Sequence, residues 1–154
     1  MALDDIVTPQ GILFDLKAGC KREALRALCD RAAEVTGLPD TDLLSAVTER
    51  EKLGSTGVGD GVAIPHGKIA SVAKITGLFA RLAAPVEFEA LDEEPVDLIF
   101  LLLAPENATA AHLKALAKVS RHFRDPETRA ALRGAETPEA LFAIIAHDQT
   151  SDAA

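Results

Sequence analysis

The chain has 154 residues, the size of one domain rather than two. Its residues are 48% hydrophobic and 26% charged, which supports a packed core and excludes a disordered chain. The 16 Lys and Arg residues against 24 Asp and Glu leave a net charge of −8 with no basic run, which excludes nucleic acid or an anionic membrane as the main partner.

In chain order, Gly11 to Leu16 reads as a short strand. Apolar residues at Leu25, Leu28, Ala32 and Val35 then form one stripe of a helix from Lys21 to Thr36. Gly37 predicts a left-handed stop, with Pro39 just beyond. Asp40 or Thr41 is expected to cap a second helix that carries Leu43, Leu44 and Val47 towards Arg50 and Glu51. Val62-Ala63-Ile64 is a short apolar strand ending at Pro65-His66-Gly67. Ile75 to Leu82 and Val86 to Glu89 read as two further strands. Val96 to Leu103 is nearly all apolar, as a central strand covered on both faces would be. Asn107 or Thr109 is expected to cap the next helix. Asp125-Pro126-Glu127 and Thr137-Pro138-Glu139 each place a capping side chain before a proline that can open a helix. The order predicts a single α/β domain of α+β type over residues 1–148, with a mixed central sheet and helices on both faces. Residues 149–154 are expected to be a frayed tail.

Cys20 and Cys29 are too few for a disulfide framework, and no basic, apolar leader opens the sequence. The longest apolar run, Leu98 to Ala104, falls far short of the ~20 residues of a membrane helix. A soluble, cytoplasmic protein without membrane insertion is expected.

The unusual stretch runs from Arg50 to Lys68, where five of the ten glycines lie between positions 54 and 67. It is not a P-loop, because the spacing from Gly61 to Lys68 is one residue too long and Ile69 stands where a hydroxyl is needed. Gly57-Val58-Gly59-Asp60-Gly61 does not complete a dinucleotide fingerprint, and no hydrolase elbow surrounds Ser55. His66 remains, set between Pro65 and Gly67 at the end of a strand. Alone, it reads as an ordinary loop histidine. Beside a loop whose Ser55 and Thr56 hydroxyls and Gly57 amide can cradle an anion, and with Arg50 as a fixed charge, it reads as a phosphate carrier. His112, near the start of the helix after the central strand, is a second candidate. His122 lies too far along that helix to share the site, and His147 near the C-terminus reads as uninvolved. The two cysteines do not combine with these histidines into a zinc site, so no metal and no cofactor are expected.

Arg50-Glu51, Gly54-Ser55-Thr56-Gly57-Val58-Gly59 and Ala63-Ile64-Pro65-His66-Gly67-Lys68 together resemble the fructose/mannitol-type enzyme IIA domain of the bacterial phosphoenolpyruvate phosphotransferase system. Leu3-Asp4-Asp5-Ile6-Val7, Val96-Asp97-Leu98 and His112-Leu113 extend the likeness over almost the whole chain, and it is strongest to the free-standing nitrogen-regulatory branch. The resemblance implies a phosphotransferase component in which His66 is phosphorylated on Nε2. It also implies that Arg50 and His112 line the pocket and that Ser55, Thr56 and Gly57 hold the phosphoryl group. The implied donor is an HPr-like phosphocarrier. The implied targets are regulatory proteins such as potassium transporters, sensor kinases or the (p)ppGpp synthetase/hydrolase. A sugar-specific IIA protein that passes phosphate to a IIB domain is the alternative, and the sequence alone does not choose the acceptor.

Overall fold

A computed structural model describes residues 2–147, so the expected tail at 149–154 lies outside the described residues. After two single-turn helices at Leu3–Asp5 and Pro9–Gly11, the elements are β1 (Ile12–Leu16), α1 (Lys21–Thr36), α2 (Asp40–Lys52), β2 (Gly57–Gly59), β3 (Val62–Ala63) and β4 (His66–Lys68). Then come β5 (Thr76–Val86), β6 (Val96–Ala104), α3 (Thr109–Arg124), α4 (Pro126–Gly134) and α5 (Pro138–Ala146). The sheet runs β1-β5-β6-β3-β2, and β4 also pairs with β6. It is mixed: β5 and β6 are antiparallel, as are β2 and β3, while β1 pairs parallel with β5, and β3 and β4 pair parallel with β6.

β6 is the centre, and its alternation divides the core in two. Ile99, Leu101 and Leu103 face α1 and α2, packing with Leu28, Leu43 and Val47. Leu98, Phe100 and Leu102 face α3, α4 and α5, packing with Val119, Phe123, Leu132, Leu141 and Ile145. Both faces of the strand are therefore buried, which is why its sequence is a continuous apolar run. Among the described residues no helix is long and apolar enough to cross a membrane. Cys20 is exposed at the start of α1, whereas Cys29 is buried in the core, where burial above all, with Asp30 and Asp40, pushes its thiol up to about 12.

Local signals hold where the chain itself supplies the partner. Gly37 stops α1 with φ of 76°. Asp125 and Thr137 accept from the amides of Glu127 and Ala140, and each precedes a helix-opening proline. Two expected caps differ. Pro39 precedes α2, which begins at Asp40 itself, and Ala108 precedes α3; neither contributes a side-chain cap bond. The two strands expected around residues 75–89 are one strand, β5, interrupted by a bulge. Arg81 pairs with Leu98 but Val86 pairs with Val96, so residues 83–85 are pushed out to solvent. Residues 87–89 leave the sheet, and Glu89 takes a φ of 58°.

Candidate functional site

Three elements converge on His66. β3 and β4 both run parallel to β6, and Ile64 and Pro65 interrupt the ladder between them. The Pro65 carbonyl still accepts from the Leu102 amide at 2.9 Å, but proline has no N–H to return. His66 thus opens β4 instead of closing a buried strand, which corrects the expectation from sequence. Behind it, α2 packs closely against Gly67, where an added Cβ would sit 3.4 Å from the Ala46 Cβ.

The half-buried imidazole is held on both nitrogens. Nδ1 lies 2.8 Å from the carbonyl of Ile64, which only accepts, so Nδ1 carries the proton. Arg50 Nε, which only donates, points at Nε2 from 3.2 Å. The two contacts select one neutral tautomer with its lone pair on Nε2. Burial is the main cause that pushes the imidazole below its ordinary 6.5, and the Arg50 charge acts in the same direction. The Ile64 hydrogen bond and the Glu51 carboxylate pull the other way. Arg50 comes from the last turn of α2, and its Nη1 donates to the Gly54 carbonyl at 3.0 Å, which aims the guanidinium.

His112 comes from α3, on the opposite face of the sheet. Its ring centroid is 5.5 Å from that of His66, with the planes tilted by 52°. The side chain is buried, and its Nδ1 has no hydrogen-bond partner in this structure. Burial first, then His66 and Lys68, hold its pKa below the usual value. Lys68 also donates from Nζ to Thr109 Oγ1 at 3.1 Å, which pins the start of α3 to β4. His66, Arg50 and His112 therefore meet although they are far apart in the chain.

The hydroxyl loop differs from its expected form. Ser55 Oγ donates to the Phe88 carbonyl at 2.7 Å and accepts the Gly57 amide at 3.1 Å. Thr56 gives its hydroxyl, and its amide at 3.2 Å, to the Glu51 carboxylate. The Ser55 and Thr56 hydroxyls and the Gly57 amide are thus committed to internal partners instead of forming an open anion cradle. A carboxylate at the same place would also repel a phosphate. Gly57 has a packing reason for its identity, because a Cβ there would meet Ala90 at 2.7 Å.

Glu51 is the residue whose part sequence reasoning missed. Its side chain is only 6% exposed and pairs with Lys21 Nζ at 2.8 Å. Lys21 in turn lies 4.6 Å over the Phe88 ring. Its place next to Arg50 was visible, but the pairing with a lysine in α1 is a property of the packed helices.

The remaining histidines are elsewhere. His122 bonds the Ile144 carbonyl through Nε2 at 3.0 Å and stacks on Phe123, and His147 is exposed after α5. A cleft of ≈ 460 Å³ lined by Arg121, His122 and His147 touches neither His66 nor His112. Among the described residues no three His, Cys, Asp or Glu side chains are grouped to hold a metal.

Comparison with known proteins gives a family and near relatives. The family model described as "Phosphoenolpyruvate-dependent sugar phosphotransferase system, EIIA 2" matches residues 5–148. The chain is 49% identical over 146 residues to a nitrogen regulatory protein of Bradyrhizobium diazoefficiens, covering 95% of each. The crystal structure of nitrogen regulatory protein IIA-Ntr from Neisseria meningitidis superposes with a TM-score of 0.87 at 40% identity, covering 92% of this chain and 97% of that one. A fructose-specific EIIA component of Haloferax volcanii is more distant, at 36% identity and 82% of each chain.

Proposed function

The chain belongs to the EIIA 2 family of the phosphoenolpyruvate-dependent sugar phosphotransferase system, and from that premise we propose that it is a cytoplasmic phosphoryl carrier and regulator of the nitrogen-related branch. His66 accepts the phosphoryl group from the phosphohistidine of an HPr-like carrier. The observation that carries this reading is the tautomer of His66, with Nδ1–H on the Ile64 carbonyl and Nε2 facing Arg50.

In the transfer, the Nε2 lone pair attacks phosphorus in line while the donor's N–P bond breaks and its electron pair returns to the donor imidazole. His66 keeps its Nδ1 proton on Ile64, so the developing positive charge on the ring is shared with a carbonyl already in place. Arg50 moves from the ring nitrogen to the phosphoryl oxygens, a short displacement that keeps its charge beside the transferred group. The unpartnered nitrogen of His112 offers a further polar contact from the other side. The phosphoryl group arrives already activated, so these side chains need only orient it and balance its charge.

The surface around the site suits a protein partner. Among the described residues the large exposed hydrophobics are Leu53, Val58, Leu91 and Leu113. Leu53 caps the helix that bears Arg50, Val58 follows Gly57, Leu91 donates its amide to the Gly57 carbonyl, and Leu113 follows His112. Exposed apolar side chains next in the chain or bonded to residues of a charged site suit a docking surface. Phosphorylation adds nearly two negative charges at that site, which is how one event switches binding to regulatory targets such as potassium transporters, sensor kinases or the (p)ppGpp synthetase/hydrolase. The sugar-specific alternative has the weaker support, since the fructose-specific relative is less similar than the nitrogen regulatory one.

Phosphorus NMR of the chain incubated with phosphoenolpyruvate and its carrier proteins tests the reading. One N-phosphoimidazole resonance is expected, fading when unphosphorylated carrier is added back. A phosphoester resonance would overturn it.

A further inference from the structure

We propose that Glu51 is a positioning residue for His66, acting through Thr56 and Ile64 on the side of the ring opposite to Arg50. The contacts run without a gap. The Glu51 carboxylate takes the Thr56 amide at 3.2 Å and the Thr56 hydroxyl. The Thr56 carbonyl takes the Ile64 amide at 3.0 Å. The Ile64 carbonyl takes the Nδ1–H of His66 at 2.8 Å.

Arg50 and Glu51 are consecutive, so the last turn of α2 controls both ring nitrogens of His66. Arg50 does so directly on Nε2; Glu51 does so through the loop on Nδ1. Glycines at both ends give loop residues 54–57 little stiffness of their own, so their position is set by their contacts. The Glu51 carboxylate, 6% exposed, is the charged one among these, since moving Thr56 away strips two of its donors and leaves a buried charge on Lys21 alone. The Ser55 bond to Phe88, the residue under Lys21, closes the same network from its far side. The two hydroxyl residues thereby fix the geometry of the nucleophile without touching phosphate.

The inference rests on His66 being the phosphoryl acceptor only for its kinetic arm. The direct test is nitrogen NMR of ring-labelled histidine in unphosphorylated wild type, Glu51→Gln, Thr56→Val and Thr56→Ser. Wild type should show the single tautomer protonated on Nδ1. Thr56→Val and Glu51→Gln should show mixed tautomers and a phosphorylation kcat lower by about tenfold at unchanged donor KM, and Thr56→Ser should restore both. The double variant Glu51→Gln/Thr56→Val should be no slower than the slower single variant, because both substitutions cut one chain of contacts. Thr56→Val keeps the Glu51–Lys21 pair, so it decides the matter if Glu51→Gln does not fold. A wild-type tautomer in folded Thr56→Val, or losses that multiply in the double variant, would overturn the proposal. Should wild type not take phosphate at His66 while the tautomer still shifts in the variants, the functional reading fails and this inference stands.

Discussion

Arg50 meets His66 on the nitrogen that the ring leaves unprotonated, Nε to Nε2 at 3.2 Å. A cation beside a lone pair keeps that lone pair free, since a proton there would lie against the guanidinium. The same contact makes Arg50 a stand-by ligand for whatever binds Nε2.

Arg50→Ala should therefore slow phosphoryl transfer by about two to three orders of magnitude, the usual loss when one preorganised donor is removed. Arg50→Lys should recover only part, because one ammonium does not reach both Nε2 and the Gly54 carbonyl as the planar fork does. Single-turnover rates with phosphorylated carrier check this, and wild-type rates in Arg50→Ala would remove the residue from the mechanism.

His112→Ala should leave labelling possible but slower, or shorten the life of the phosphohistidine. The buried Nδ1 without a partner is a polar atom whose desolvation is offset only once a ligand arrives. The decay of the labelled variant, followed by intact mass, measures the effect. A decay and a transfer rate equal to wild type would make His112 a packing residue only.

The depressed pKa values of His66 and His112 give stability a direction with pH. Both folded imidazoles bind a proton less readily than the unfolded chain, mainly because they are buried. Their contribution is complete above the unfolded value near 6.5 and is lost as pH falls from there towards the folded values. Urea midpoints should thus decline between about pH 7.5 and 5.5, and His66→Asn should flatten that decline. An unchanged slope in the variant would contradict the assignment.

Gly57→Ala should destabilise the fold by about 1–3 kcal/mol, because the new Cβ would lie 2.7 Å from the Ala90 Cβ and 2.9 Å from its Cα. The backbone atom leaves little room to yield. Thermal melts of the variant are the check; a melting point equal to wild type would mean that residues 88–91 move aside freely.

What the sequence disclosed depended on how far away each partner lay. Gly37, Asp125 and Thr137 act on residues within one turn, so their roles were readable. The apolar run of β6 announced a strand buried on both faces. His66 and Arg50 were legible as candidates because Pro65, Gly67 and the glycine-rich loop set them in an unusual local pattern, and His112 because it stands near the start of the helix after the central strand. The break between β3 and β4 was not, since it depends on both segments pairing with β6. The internal partners of Ser55 and Thr56 were not legible for a related reason. Their hydroxyls are bound by the Phe88 carbonyl, brought there by the chain after the β5 bulge, and by Glu51, which packs with Lys21 of α1.

The central claim is that His66 carries the phosphoryl group, and intact mass after incubation with phosphoenolpyruvate and its carrier proteins tests it most directly. Wild type should gain one phosphoryl group that mild acid removes and alkali does not, as expected for a phosphoimidazole whose phosphoryl group leaves readily once the other ring nitrogen is protonated. His66→Ala should gain none while keeping its fold, because the half-buried ring leaves the core untouched. A phosphoryl group retained by His66→Ala, or an acid-stable one on wild type, would contradict the account.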